Sequence, residues 1–124
     1  MYKTLKYFDL SEFSCRCGCT TPPQAQNALR AVCASLQVLR LELKSPVIIN
    51  SGYRCTSHNA KVGGASRSFH LSGMASDIVV SGISSVQVFR TLLHLMETGQ
   101  ILKGGIKDYG TFVHYDIRGT ITKF

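Results

Sequence analysis

The chain has 124 residues and a mass of 13.6 kDa. That is enough for one domain burying about two-thirds of its extended surface, and too little for a second independent one. With 44% hydrophobic and 17% charged residues it is neither a disordered chain, a collagen-like chain nor a long coiled coil. Fourteen Lys and Arg against seven Asp and Glu give a net charge of +7, a balance that favours polyanionic partners.

The positive residues are scattered without a dense tract, so nucleic-acid binding is not expected, while attraction to an anionic surface such as a cell wall is compatible. Met1 to Leu10 carries Lys3, Lys6 and Asp9 and lacks a long apolar stretch, so it does not read as a signal peptide. No apolar run reaches membrane-spanning length. The expectation is a monomer made in the cytoplasm, with no separate module beside the one domain.

In chain order, residues 1–20 read as an irregular lead-in that packs Tyr7, Phe8, Leu10 and Phe13 onto the body. Thr21 and Pro22 suit a helix start, as cap and first helical residue. Ala25, Ala28, Leu29, Val32, Leu36, Leu39 and Leu43 then recur at helical spacing, with Pro46 as a stop. Val47–Asn50 reads as a short buried strand. Ser51–Ser68, rich in Ser, Gly, Asn and His, has the composition of an active-site stretch, with a helical turn from Ser57 to Val62. Ala75–Val80 is a second strand. Ile83, Val86, Phe89, Leu93 and Met96 mark a second helix, capped at Ser84 or Ser85 and ending near Gly99. Lys107–Gly110 reads as a turn, Thr111–Ile117 as a third strand, and Thr120–Phe124 as a short final strand after a tight turn at Gly119. The sum is an α+β domain of two main helices on an antiparallel or mixed sheet.

Five cysteines are present. Cys33 falls in an apolar helix pattern and belongs to the core. Cys15, Cys17 and Cys19 alternate, which sets them on one side only of an extended segment. The Cys-x2-Cys spacing common in zinc knuckles is absent. Small apolar filler in a hooked segment, a disulfide and a structural metal all remain open readings.

Polar residues sit where a core is expected. Asp77 lies among Ala75, Ile78, Val79 and Val80, where an unpaired carboxylate costs several kcal/mol. His114 lies between Val113 and Tyr115, and alternation puts Phe112, His114 and Asp116 on one strand face. Together with His70, two imidazoles and a carboxylate suit zinc with an open position for water. They equally suit an iron site or a hydrogen-bonded core cluster. His94 reads as a helix-face residue. Gly63-Gly64 and Gly104-Gly105 read as loops that let backbone approach a substrate. No nucleophile elbow of a serine hydrolase occurs.

Several runs resemble one family: Ser51-Gly52-Tyr53-Arg54, His58-Asn59, Val62-Gly63-Gly64-Ala65, Ser68-x-His70-x-x-Gly73-x-Ala75-x-Asp77, and Phe112-Val113-His114-x-Asp116-x-Arg118. This pattern is similar to the zinc D-alanyl-D-alanine carboxypeptidases, a family that includes phage L-alanyl-D-glutamate endolysins and distant hedgehog-like domains. The lead-in Ser11-Glu12-Phe13-x-Cys15-x-Cys17-Gly18-Cys19 resembles the start of small phage-associated members. The resemblance spans Phe8 to Arg118.

It implies a small α+β domain over residues 1–124 that binds zinc through His70, Asp77 and His114. Arg54 would hold a substrate carboxylate or steady the polarised carbonyl in catalysis, and Ser68 would bind peptide or shape the loop, on a peptidoglycan stem peptide cut beside a D-amino acid at the cell wall by a phage-encoded or virion-associated enzyme. Tyr109, apart from the resemblance, reads equally as a substrate-groove residue or as packing. A wall-peptide module with weak or lost catalysis is the alternative. Many members carry Glu or Asp as general base three residues before the last ligand histidine. Thr111 occupies that position here, which leaves Asp116, Asp108 and His58 as candidates.

Overall fold

The computed structural model describes residues 7–124, so the first six positions of the expected lead-in lie outside the described residues. The described lead-in contains a short 3-10 turn, Leu10–Phe13. Asp9 accepts from the Ser11 N–H, and Glu12 accepts from the Asp9 N–H at 2.7 Å, which closes a capping box. Phe8 and Phe13 are buried, and Tyr7 and Leu10 pack on the core.

Helix α1 spans Pro23–Leu43. Pro22, not Thr21, holds the cap position, in extended backbone without a side-chain cap. The reason lies in the proline pair. Pro23 disfavours helical backbone at the residue before it, and is itself suited to the first helical position. Strand β1, Val47–Ser51, is half-buried rather than buried. It is an edge strand, and Ile48 faces solvent at 50% exposure. Helix α2, Thr56–Lys61, is a short turn of helix, and a 3-10 turn follows at Phe69–Ser72.

Strand β2 spans Ala75–Val80 and helix α3 Ser85–Glu97, capped by Ser84. The buried face of α3 is Val88, Leu92, Leu95 and Met96, while Val86 is exposed. The five apolar positions read from the sequence mark only one margin of that face, because the i, i+4, i+7, i+8 set centres one turn edge further round the helix. Strand β3, Gly105–Asp108, occupies part of what reads as a turn. Its glycine start and single large apolar residue, Ile106, hide it. Strands β4, Val113–Asp116, and β5, Thr122–Lys123, complete the sheet.

The strand order is β1-β2-β4-β3-β5. All pairs are antiparallel except β3 with β5, so the fold is α+β with a mixed sheet. Alternation divides the sheet into two faces. Ile78, Val80, Ile106, Val113 and Tyr115 join Leu29, Leu36, Leu39, Leu92 and Leu95 of α1 and α3 in one core. The other phase of β2 and β4 carries Asp77, His114 and Asp116, and the segment from Ser51 to Gly73 lies beside that face. Among the described residues no helix is long and apolar enough to cross a membrane.

Candidate metal centre

Asp77 and His114 are direct cross-strand partners of β2 and β4, which holds their Cβ atoms about 5 Å apart on one face. His70 comes from the 3-10 turn just before β2. The Ser68 hydroxyl caps that turn, accepting from the His70 N–H at 3.1 Å. On the far edge of β2, Ser51 faces Asp77 where the register of β1 breaks. The chain beyond that break supplies Gly52 and Arg54, and the Arg54 N–H bonds the His70 carbonyl at 3.0 Å. One strand pair, one capped turn and one strand exit thus meet at a point.

The hydrogen bonds fix which atoms face that point. His70 Nδ1 lies 2.7 Å from the Gly52 carbonyl oxygen. A carbonyl only accepts, so Nδ1 carries a hydrogen, and Nε2 is the ring nitrogen that faces Asp77 Oδ1, 3.2 Å away. His114 Nε2 lies 2.8 Å from Asp116 Oδ2. The ring's Nδ1 faces the same Oδ1 of Asp77 at 3.1 Å, so that an ion at the centre would meet Nδ1 while Nε2 donates to Asp116. Two ring nitrogens and a carboxylate oxygen therefore converge, all three ligand atoms lying within 4.8 Å of one another. Electron pairs so arranged repel unless a cation or added protons lie among them. Two imidazoles and one carboxylate, each ring tied by its other nitrogen to an oxygen, fit a divalent metal with an open position.

The surrounding charges are built around these ligands. Asp77 Oδ2 pairs with Arg54 Nη2 at 3.2 Å, leaving Oδ1 for the centre. Arg54 is itself held by the Ser51 hydroxyl and the Asn59 side-chain oxygen. Asp116 is fully buried and accepts from His114, the Gly105 N–H at 2.8 Å, and Arg118 through Nε at 2.9 Å and Nη2 at 2.7 Å. Burial disfavours both carboxylates, but their hydrogen bonds outweigh it: those from His114 and His70 hold Asp77 well below the usual range, and those from His114 and Arg118 do so for Asp116. Burial likewise opposes charge on His114, yet its bonds to Asp116 and Asp77 hold its pKa above the ordinary value.

Gly104 and Gly105 serve Asp116 and not a substrate. A Cβ on Gly104 would overlap the Asp116 carbonyl, and one on Gly105 would lie 2.7 Å from Asp116 Oδ2. Neither glycine lines the cavity beside the centre, whereas Gly63 and Gly64 do.

That cavity has a volume of about 510 Å³ and is lined by His70, Asp77 and His114 together with Arg54, Ser68, Arg67, Arg118, Tyr109, Phe112 and Phe124. Tyr109 and Phe112 stack with ring centroids 4.5 Å apart. The three residues considered as general base stand elsewhere. Asp116 lies behind the His114 ring. Asp108 pairs with Val113 rather than His114 and accepts from the Gly110 N–H in its own turn. His58 is half-buried on α2 and does not line the cavity. Thr111 is exposed in the bend before β4.

Gly52, Gly105 and Arg118 carry structural duties at the centre that the sequence reading leaves unassigned. For Arg118 a signal exists: i+2 from Asp116 keeps it on the same face of an extended chain. For the carbonyl of Gly52 and the N–H of Gly105 there is none, since any residue offers those groups.

A family model described as Peptidase M15 matches residues 6–116. No curated protein matches the chain.

Proposed function

The chain belongs to the Peptidase M15 family, a family of metallopeptidases, and on that premise we propose that it is a zinc peptidase cutting a bond beside a D-amino acid in peptidoglycan stem peptides. The observation that carries the reading is the convergence of His70 Nε2, His114 Nδ1 and Asp77 Oδ1 on one point of an open cavity. Zinc held by these three atoms would polarise a peptide carbonyl and bring the pKa of water toward about 7, where no strong protein base is required.

The chain's own residues have distinct parts in this account. Gly52 and Asp116 orient the two imidazoles. Arg54 holds one oxygen of Asp77 so that the other stays directed at the centre. Arg54 also keeps one N–H on each terminal nitrogen uncommitted among the described residues, and with Arg67 and Arg118 it makes the cavity cationic. A cationic wall of guanidinium forks suits a substrate carboxylate, and a stem peptide carries carboxylates at its C-terminus and on its acidic side chains. The stacked Tyr109 and Phe112 offer an apolar wall to the peptide. Ser68 acts through the turn that it caps.

A second reading, a metal-bearing module that holds wall peptide without cutting it, is favoured by one observation: among the described residues no carboxylate other than Asp77 lines the cavity. Mass spectrometry of purified muropeptides after incubation with the zinc-loaded protein separates the readings. Cleavage beside a D-residue supports the peptidase, and the fragment masses tell terminal removal from an internal cut. Intact muropeptides that nonetheless bind the protein would support the second reading.

A further inference from the structure

A second group of metal-capable side chains lies outside the cavity. The chain turns at Cys15-Arg16-Cys17-Gly18, closed by the Gly18 N–H on the Cys15 carbonyl at 3.0 Å and completed by Gly18 at φ +87°. The turn gathers Cys15, Cys17 and Cys19 instead of spacing them along an extended segment. Cys55, 36 residues beyond Cys19, enters as a fourth member from the start of α2. The four sulfurs all lie within 4.8 Å of one another. Three of the separations are 3.3 Å (Cys15–Cys17), 3.6 Å (Cys17–Cys55) and 3.8 Å (Cys15–Cys55).

We propose that Cys15, Cys17, Cys19 and Cys55 form a structural tetrathiolate zinc site, separate from the His70–Asp77–His114 centre. Four sulfurs bound tetrahedrally at about 2.3 Å from zinc stand about 3.8 Å apart, close to the separations seen. All four coordination positions are filled by protein, as structural rather than catalytic zinc requires. Backbone N–H groups already point at the sulfurs: that of Cys55 at Cys15 Sγ and that of His58 at Cys55 Sγ, both at 3.4 Å. Such donors stabilise thiolates and orient them. The fifth cysteine, Cys33, is fully buried in the core on α1 and takes no part.

The site has a structural consequence. It ties the lead-in to the residue that follows Arg54, in the segment whose Gly52 carbonyl orients His70. The lead-in reinforces the same segment from the other side, through the Tyr53 N–H on the Phe13 carbonyl at 2.8 Å. A metal held by the folded chain and not by the unfolded one adds its binding free energy to folding.

Metal analysis of the full chain, purified under reducing conditions with zinc, tests the proposal. The wild type should carry two zinc ions, the Cys17→Ser/Cys19→Ser variant one, and the His70→Ala/His114→Ala variant one, still held by sulfur. Because the cysteine variant can fail to fold, two measurements use the wild type alone. Its thiols should resist a disulfide reagent until zinc is withdrawn by a chelator, and four should then react. Cobalt substituted for zinc should show thiolate-to-metal charge-transfer absorption. Free reactivity of these thiols in the zinc-loaded protein, a disulfide among them in the reduced preparation, or a cobalt spectrum without thiolate bands would overturn it. Loss of all bound zinc in the His70→Ala/His114→Ala variant, with its fold intact, would do the same. These readouts do not depend on peptide cleavage, so the site and the peptidase reading can fail separately.

Discussion

His114 is held between two carboxylates, with Nδ1 3.1 Å from Asp77 Oδ1 and Nε2 2.8 Å from Asp116 Oδ2. The two contacts differ in kind. Asp116 is buried and bound by Gly105 and Arg118 on its remaining lone pairs, so it can only orient the ring. Asp77 faces the cavity and shares its Oδ1 with His70. Nδ1 is thereby the ring nitrogen presented to the cavity.

Replacing the orienting group should therefore weaken the metal without removing a ligand. Asp116→Asn is expected to lower zinc affinity at the histidine centre by roughly 10–100-fold, the range typical of lost partners to ligating histidines. A competition titration against a chromophoric chelator reads this directly. An affinity equal to wild type would mean that Asp116 does not set the His114 ring.

The glycine pair beside Asp116 should be intolerant of any side chain. Gly104→Ala places a Cβ on the Asp116 carbonyl, and the backbone must shift to admit it. A loss of roughly 1–3 kcal/mol or more is expected, as for overpacking in a tight core. Urea denaturation provides the measurement, and a midpoint unchanged from wild type would contradict the packing described.

Arg54 should matter for substrates according to their charge. Arg54→Lys removes the fork but keeps a cation, and each lost 1.4 kcal/mol of binding is about tenfold. The expected result is a higher KM for stem peptides with a free C-terminal carboxylate, and a smaller rise for the same peptides amidated. Equal effects on both would assign Arg54 to support of Asp77 alone.

Proton linkage gives the metal-free protein a distinctive pH profile. The raised pKa of His114 means that its charged form contributes stability in full below the unfolded value of about 6.5. That contribution fades as pH rises through the folded value. Asp77 and Asp116, held low, contribute above their unfolded value of about 3.9 and lose that contribution as pH falls. The combined contribution of these three groups should therefore be greatest between about pH 4 and 6.5 and decline above that range. The His114→Gln variant should lack the decline. The Cys15 thiol, which burial raises but hydrogen bonds from Cys55 and Cys17 lower to about 7, acts in the opposite sense. The difference between the wild-type and His114→Gln urea midpoints therefore decides the matter, and a difference that does not shrink as pH rises from 6 would contradict the linkage.

Much of the centre is legible in the sequence because buried polar residues in apolar strands announce themselves. Asp77 and His114 stand out against Ile78, Val79, Val113 and Tyr115, and period-two alternation alone joins His114 to Asp116. The partnership of Asp116 with Gly104 and Gly105 is not legible, since a glycine pair signals a close approach without naming what approaches. Strand β3 is hidden for the same reason. The role of Cys55 is hidden by distance: Cys15, Cys17 and Cys19 are neighbours in sequence, but only the fold brings a residue from the start of α2 beside them. Thr111 stands where the resemblance implies an acidic residue, and it is exposed in the bend before β4, which yields a specific expectation. Proton removal in the cleavage step must manage without a carboxylate at that position.

In the proposed peptidase, His70, Asp77 and His114 hold the ion on which peptide cleavage depends. The most direct measurement is muropeptide cleavage by the metal-stripped wild-type chain as zinc is added back. No cleavage is expected before addition, and the rate should rise with occupancy of the histidine centre. None is expected at any zinc level in a folded His114→Ala variant. Cleavage that persists in that variant, or in the wild type without metal, would contradict this assignment.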